Sequence, residues 1–206
     1  MGVHVDPLPP HRASACRQPW SAEAIRADPL GFLAEERAAQ RALADLLEEI
    51  ADALPQAAGG AAALVAAARL RRLVAQSQPA EESSLYALVE RLAPPGAGAR
   101  QAVALARREA AVAAGLAIEL ADELEALARR GVAGSPEALG YMLRACFEAL
   151  RRRLDWVEAA ILPQARAYLD PERIEALGEA LAACVGRVPL RYRAGLGVVS
   201  GARRGV

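Results

Sequence analysis

Lysine is absent from this chain of 206 residues, and histidine occurs only at His4 and His11. Arginine supplies all 25 basic side chains and is matched by 25 acidic ones, so the formal net charge is zero. A chain without net charge has no bulk electrostatic attraction for nucleic acid or for an anionic membrane surface. We therefore expect neither nucleic acid nor membrane as a partner.

Aromatic residues and cysteines are also scarce. Aromatics make up 4% of the chain although 54% of its residues are apolar, and alanine and leucine dominate. Such a composition favours close-packed helices over strands. The three cysteines, Cys16, Cys146 and Cys184, are odd in number and far apart. This spacing predicts neither a disulfide framework nor a metal knuckle.

Long uncharged apolar runs are missing as well. A membrane-spanning helix needs about 18 or more predominantly apolar residues, and the sequence contains no such run, so it predicts no membrane span. The first residues also contain no hydrophobic signal core. On these grounds we expect a cytoplasmic protein.

Proline and glycine divide the chain into segments in which apolar residues recur every three or four positions. The caps and turn residues predict four long helices and one short one, over 29–54, 61–92, 97–130, 136–168 and 171–184. Pro79 and Pro163 fall inside two of them, where a proline is expected to kink a helix. The predicted fold class is all-α, an up-and-down antiparallel four-helix bundle with a short fifth C-terminal helix.

Three parts of the chain are predicted from these patterns. Residues 1–28 contain four prolines and no long period, and we expect an N-terminal arm there. Residues 29–185 form the bundle. Residues 186–206 carry five arginines and no acidic residue, which is typical of a flexible, solvated basic tail. The alternative for this tail is a protein partner that binds through it.

Polar residues interrupt the apolar stripe of each long helix. Spacings of three or four residues place them on the inward face of their helix. They are Glu36 and Gln40, Ser77 and Glu81, Glu109, and Arg153 and Glu158. When residues are counted from each turn into the next helix, at about 1.5 Å per residue, these positions agree to within a turn. The sequence therefore predicts an internal polar cluster at one level of the bundle.

The charge of this predicted cluster needs a counterpart. Four carboxylates and one guanidinium sum to minus three, and buried unpaired charge is costly. A bound cation, raised carboxylate pKa values or access of water from a bundle end would each resolve the imbalance. The simpler interpretation is that the individual glutamates lie at the edge of their stripes and reach solvent.

These segments resemble the bacterial hemerythrin-like family of His-His-Glu cation-binding domains. The resemblance covers most of the chain, from Asp28 to Cys184, and is carried by DPLGFLAEERAAQRALADLLE, PAEESSLYALVERL, LARREAAVAAGLAIELADELEAL, LRRRLDWVEAAILPQAR and DPERIEALGEALAA. The family implies a four-helix bundle that holds a non-haem di-iron centre with histidines and bridging carboxylates. Its members bind dioxygen, sense oxygen or nitric oxide, or handle iron.

The chain departs from the family at every histidine position that can be placed. Glu36, Ser77, Glu109 and Arg153 stand where the four helices would supply histidines, whereas the motif acids remain as Glu81 and Glu158. Imidazole suits iron, and carboxylate-only ligation suits harder cations. The resemblance therefore implies a degenerate member whose histidine ligands have been replaced.

Three functions follow from this reading. The favoured one is a non-enzymatic binding or regulatory bundle without a cofactor, in which Arg153 pairs with one of the four glutamates. The alternative is a divalent metal site, for iron or manganese, with an oxygen- or nitric-oxide-related role and with Glu36, Glu81, Glu109 and Glu158 as ligands. A metal-free enzyme that uses a carboxylate pair as acid and base is the third, but the sequence contains no nucleophile elbow or phosphate loop to support it.

Overall fold

The computed structural model describes residues 20–55 and 60–186 of the chain. All regular structure within these two ranges is helical, and no strand occurs in them. The all-α prediction is thereby confirmed. Most of the predicted N-terminal arm, with both histidines and Cys16, and the tail over 187–206 lie outside the described residues.

Six helices make up the described chain. They are α1 (Ala22–Ala27), α2 (Pro29–Ala53), α3 (60–92), α4 (Gly98–Arg130), α5 (136–168) and α6 (Pro171–Gly186). The cap residues account for their ends: the Asp28 side chain accepts a 2.8 Å hydrogen bond from the Gly31 amide at the start of α2. Gly131 ends α4 with φ 74°, in the left-handed region that glycine adopts without steric cost.

Helices α2 to α5 pack side by side as a helical bundle, with α2 on α5, α5 on α4 and α4 on α3. Ion pairs between α2 and α5 fix their relative direction. Asp52, near the end of α2, pairs with Arg144 in the first half of α5, whereas Arg41, earlier in α2, pairs with Glu158, later in α5. The two helices therefore run antiparallel. Between α3 and α4, ion pairs that join Arg71 to Asp122 and Glu82 to Arg107 show the same antiparallel direction.

The buried interior contains separate apolar cores. The first fills the end of the bundle near the α4–α5 turn and includes Leu47, Leu70, Leu124 and Leu143. A second, with Val103 and Ile161, fills the other end. In α3 the first core ends at position 73 and the second begins at 85, and in α5 the first ends at 150 and the second begins at 157. Of the predicted polar cluster, Ser77, Glu81 and Arg153 fall in these gaps, whereas Glu158 lies beyond the gap in α5.

Helix α1 occupies the end of the predicted N-terminal arm, and it packs against α6. Ile25 of α1 is fully buried in a third core together with Phe32 and Leu181. Arg26 and Glu179 form a 2.8 Å ion pair across the same contact. The arm is therefore not a free segment over residues 22–27. Its helix is only six residues long, and the sequence signals it through the capping residue Ser21, which accepts from the Ala24 amide, and not through periodicity.

Two prolines inside long helices are accommodated by π-helical turns. In α3 the turn Leu73–Ser77 precedes Pro79, and the Gln78 amide donates to the Leu73 carbonyl five residues back. In α5 the turn Val157–Ile161 stands in the same place before Pro163. Proline has no amide hydrogen and clashes with the carbonyl four residues earlier. A wider turn before the proline relieves that clash, where the sequence predicted only a kink.

Candidate functional site

The centre of the interior is a buried network of Gln40, Glu81 and Arg153, which come from α2, α3 and α5. Arg153 donates through Nη1 to Gln40 Oε1 at 2.5 Å and through Nη2 to Glu81 Oε2. Gln40 Nε2 in turn donates to Glu81 Oε1 at 3.2 Å. Arg153 is 1% exposed and Glu81 is 2% exposed. A closed triangle of hydrogen bonds therefore links three helices in a region from which water is nearly excluded.

Tyr86 borders this triangle from α3, and its hydroxyl group donates to Glu81 Oε2 at 3.5 Å. Burial is the main cause that raises the pKa of Tyr86, so the phenol keeps its proton. Burial also opposes the charge of Arg153, but the negative charge of Glu81 and the contact with Tyr86 outweigh it and raise the pKa of Arg153. The centre of the network is thus a charged pair beside a neutral phenol.

Glu36 lies beside this triangle on α2 and is held by α3. Ser77 Oγ donates to Glu36 Oε2 at 2.7 Å, and Arg72 Nη2 donates to Glu36 Oε1. Both Glu36 and Ser77 are buried, at 8% and 5% exposed. The five residues Glu36, Gln40, Ser77, Glu81 and Arg153 are called the polar layer below, because they lie between the apolar cores in their helices.

The other two predicted glutamates do not join the polar layer. The Glu109 side chain of α4 pairs with the half-exposed Arg152 of α5 at 3.0 Å. The Glu158 side chain is 38% exposed and contacts Arg41. Within the described residues, no three side chains of histidine, cysteine, aspartate or glutamate converge in a way that could hold a metal ion. The four carboxylates therefore do not converge on a common centre.

Each of the four carboxylates instead has an arginine partner. Glu81 is paired by Arg153, and the partners that the sequence reasoning missed are Arg72 for Glu36, Arg152 for Glu109 and Arg41 for Glu158. The predicted charge of minus three is thereby cancelled within the protein. Arg41 directly follows Gln40, and Arg152 directly precedes Arg153. Their position next to the predicted cluster residues is the sequence signal that points to these two partners.

A di-iron centre of the kind the resemblance implies does not fit this donor set. The position expected for a histidine on α5 holds the guanidinium of Arg153, which is permanently charged and has no lone pair to donate to a metal. Both carboxylate oxygens of Glu81 accept hydrogen bonds from the network. The chemistry of the residues present therefore favours an internal ion pair over metal ligation.

A cleft of about 370 Å³ opens between α3 and α4 and reaches the polar layer. Its walls are mostly apolar and include Val74, Pro79, Ala110 and Ala114. On α4 the wall consists of three alanines, which are Ala110, Ala111 and Ala114. Their side chains are too small to fill the space between α4 and the π-helical turns of α3. We call this space the α3–α4 cleft.

The polar residues of the α3–α4 cleft connect it with the network behind it. Arg153 and Tyr86 line it on the inner side, and Glu82 and Arg107 belong to its outer part. Arg107 forms ion pairs with Glu82 and Glu90, which raise the pKa of its guanidinium. The cleft therefore has the ion-paired Arg107 at its outer part and the buried Arg153 at its inner side.

Two buried donors have no acceptor among the described residues. They are Arg153 Nε and Arg37 Nη1. Arg37 is 7% exposed, and its nearest acid is Glu158, 4.0 Å from its Nε. Burial lowers the pKa of Arg37, while the charges of Glu81 and Glu158 oppose that change. An unmade hydrogen bond at a buried donor is costly, so both atoms mark places where an additional acceptor would be favourable.

The fold and the site together define an all-α protein with a buried arginine–carboxylate network. Comparison of the chain with protein-family models, with curated proteins and with solved structures finds no match. Among the helices of the described residues, none combines the length and the apolar character that crossing a membrane requires.

Proposed function

We propose that this chain is a hemerythrin-like four-helix bundle in which a buried arginine has replaced the metal centre, and that it is a non-enzymatic binding or regulatory protein. The contact between Arg153 and Glu81 carries this proposal. In the resemblance, Arg153 stands at a histidine position and Glu81 is a motif acid that is kept. The hydrogen bond therefore joins the residue that replaces a family histidine, Arg153, to the family acid that is retained, Glu81.

Electrostatics supports the replacement. A divalent cation at the level of Glu81 would meet the permanent charge of Arg153, which is within hydrogen-bonding distance of the same carboxylate. A buried carboxylate must be paired or it destabilises the fold. Arg153 supplies that pairing without a metal, and Arg72 supplies it for Glu36. The polar layer is therefore complete in charge without a cofactor.

The same contacts argue against acid–base catalysis in the polar layer. Glu81 Oε1 accepts from Gln40, and Glu81 Oε2 accepts from Arg153 and Tyr86. A general base needs a lone pair directed at a substrate proton. Since both oxygens of Glu81 already accept hydrogen bonds from neighbouring side chains, Glu81 is poorly placed to act as a general base.

The arrangement of the helices supports the finer fold proposal. Each of the helices α2 to α5 packs against two of the other three. Ion pairs show that α2 runs antiparallel to α5 and that α3 runs antiparallel to α4. The polar layer crosses three of these helices and includes positions that the resemblance matches to the family's metal ligands. We infer an up-and-down bundle with α6 as the closing helix.

The first test is the metal content and the thermal stability of the full chain. We expect protein purified without chelator to contain far less than one metal ion per chain. We also expect an unchanged melting temperature after addition of Fe²⁺, Mn²⁺, Mg²⁺ or Ca²⁺. A stoichiometric metal that survives gel filtration and is lost in Glu81→Gln would contradict the proposal and favour a carboxylate-ligated metal site.

The second arm tests the hemerythrin-like arrangement by restoring imidazoles. The triple variant Glu36→His, Ser77→His and Arg153→His places three histidines around Glu81, and imidazole is a good ligand for iron. We expect this variant to bind Fe²⁺ with a rise in melting temperature. In the control variant, Arg152→His replaces Arg153→His, and we expect no binding. Equal uptake by both variants, or uptake by neither folded variant, would contradict the arrangement.

A further inference from the structure

The α3–α4 cleft is a concave space with mostly apolar walls, and the buried Arg153 of the polar layer belongs to its lining. We propose that the α3–α4 cleft binds a small, uncharged and largely apolar molecule that carries one hydrogen-bond acceptor, such as a ketone oxygen. This inference rests on the proposed binding function, for which it names the chemical class of the ligand.

The size and the walls of the cleft set the apolar part of this ligand. The volume is about 370 Å³, within the range of small-molecule sites, and an apolar cavity of about 150 Å³ is already large enough for benzene. Val74, Pro79 and the alanines of α4 offer hydrocarbon surface on both sides. An aromatic ring or a short aliphatic chain would bury its surface against these walls and gain stabilisation from the loss of exposed apolar area.

The acceptor follows from the inner side of the cleft. Arg153 lines the cleft, and its Nε–H has no acceptor among the described residues, although its two Nη atoms are occupied by Gln40 and Glu81. Tyr86 lines the same side, and its hydroxyl already donates to Glu81, so the free donor is that of Arg153. A carbonyl oxygen that reaches the Arg153 Nε–H from the cleft would receive the hydrogen bond that the protein itself does not supply.

The charges around the cleft favour a neutral ligand over an anion. The charge of Arg153 is matched by Glu81, and that of Arg107 is matched by Glu82 and Glu90. The two arginines and three glutamates sum to minus one. A carboxylate ligand would therefore enter a site without surplus positive charge and would lose its hydration on the apolar walls.

Three probes of similar shape separate these properties. Acetophenone has an aromatic ring with a neutral acceptor, ethylbenzene has no acceptor, and benzoate is an anion. We expect calorimetry on the full chain to show acetophenone binding about tenfold more tightly than ethylbenzene, the effect of one hydrogen bond from a charged donor. Benzoate should bind most weakly. Equal affinity of acetophenone and ethylbenzene would overturn the acceptor, and tightest binding of benzoate would overturn the neutral ligand.

A filled cleft is the matched variant. Ala114→Leu puts a larger side chain into the cleft, whereas Ala104→Leu places the same side chain on an exposed position of the same helix, outside the lining. We expect Ala114→Leu to lose acetophenone binding at least tenfold and Ala104→Leu to keep it. Undiminished binding by folded Ala114→Leu would overturn the location.

A direct measurement does not depend on any variant. In isotope-labelled wild-type protein, the Arg153 Nε–Hε resonance should shift when acetophenone is added and should shift less with ethylbenzene. An unchanged Arg153 resonance at saturating acetophenone would overturn the inference. The metal analysis described above tests the proposed function separately. If the chain holds no metal and binds none of the three probes, the proposed ligand class is refuted, whereas the proposal of a metal-free bundle stands.

Discussion

At the scale of single residues, Arg153 is the side chain on which the interior depends. It is among the largest fully buried side chains, and it joins α5 to Gln40 of α2 and to Glu81 of α3. A buried ion pair adds little net stability compared with apolar residues of the same size, but loss of one partner leaves an unpaired buried charge. The consequence is an asymmetry between single and double substitutions.

We expect Arg153→Met to lower the free energy of unfolding by about 3–5 kcal/mol, because it leaves the Glu81 carboxylate buried without its guanidinium. The double variant Arg153→Met and Glu81→Met should recover most of this loss, since it removes both charges. Urea unfolding followed by circular dichroism measures both values. Arg108→Met, at an exposed arginine of α4, is the control and should change stability by less than about 0.5 kcal/mol. A double variant no more stable than Arg153→Met would refute the pairing.

Cys146 is a second residue whose burial has a measurable consequence. The thiol is completely buried in the first apolar core, and burial raises its pKa to about 12, against about 8.5 for a free cysteine. The unfolded chain therefore loses this proton at lower pH than the folded chain. Since deprotonation favours the unfolded state, the contribution of Cys146 is complete below pH about 8.5 and is lost as the pH rises from there towards 12.

The corresponding prediction concerns the pH dependence of stability. Above pH about 8.5, the thiol of Cys146 should lower the free energy of unfolding by up to about 1.4 kcal/mol per pH unit. Cys146→Ala removes this dependence, so the stability difference between wild type and variant should shrink with rising pH. Cys184→Ala, at a half-buried cysteine, is the comparison. A free thiol titrates between about pH 7 and pH 10. If the stability difference between wild type and Cys146→Ala stays constant over this range, a raised pKa of Cys146 is contradicted.

At the scale of helices, the sequence indicated most boundaries within one or two residues. The caps Asp28 and Ser135 and the glycine Gly131 are local signals, because each acts on backbone groups of the adjacent turn. The π-helical turns before Pro79 and Pro163 were not predicted beyond a kink. A proline shows that the α-helical hydrogen bonds must change, but the packing of the neighbouring helices decides how they change.

Two glycines in helices provide an opposed pair of predictions. A Cβ atom at Gly178 of α6 would lie 3.1 Å from Arg26 backbone atoms of α1, whereas one at Gly115 of α4 would meet no atom within 4 Å. We expect Gly178→Leu to destabilise the protein by about 1–3 kcal/mol through overpacking. Gly115→Leu should stabilise it by several tenths of a kcal/mol up to about 0.8 kcal/mol, because leucine is the better helix former.

Hydrogen exchange locates the effect of these substitutions. Gly178→Leu should increase amide exchange in α1, since it separates α1 from α6, while α4 and α5 stay protected. Gly115→Leu should leave the exchange of α1 unchanged. Unchanged protection of α1 in Gly178→Leu would show that the two helices do not depend on this close contact.

At the scale of the whole molecule, the polar layer divides the interior into apolar cores. A chain with four inward acids and one inward arginine looked strongly negative, yet the folded protein pairs each of the four acids with its own arginine. This pairing explains how the bundle can carry charged groups in its interior. The α3–α4 cleft reaches this layer between two of the helices.

The sequence by itself determined the helices and their caps, because these depend on signals along a single helix, and it indicated inward polar positions of which only some are buried. The tertiary structure alone decided which acids are buried, which arginine pairs with each, and where the cleft opens. Glu81 and Glu158 look alike in their stripes, but Glu81 is 2% exposed whereas the Glu158 side chain is 38% exposed. That difference arises from how neighbouring helices rotate and pack, and no pattern within one helix records it.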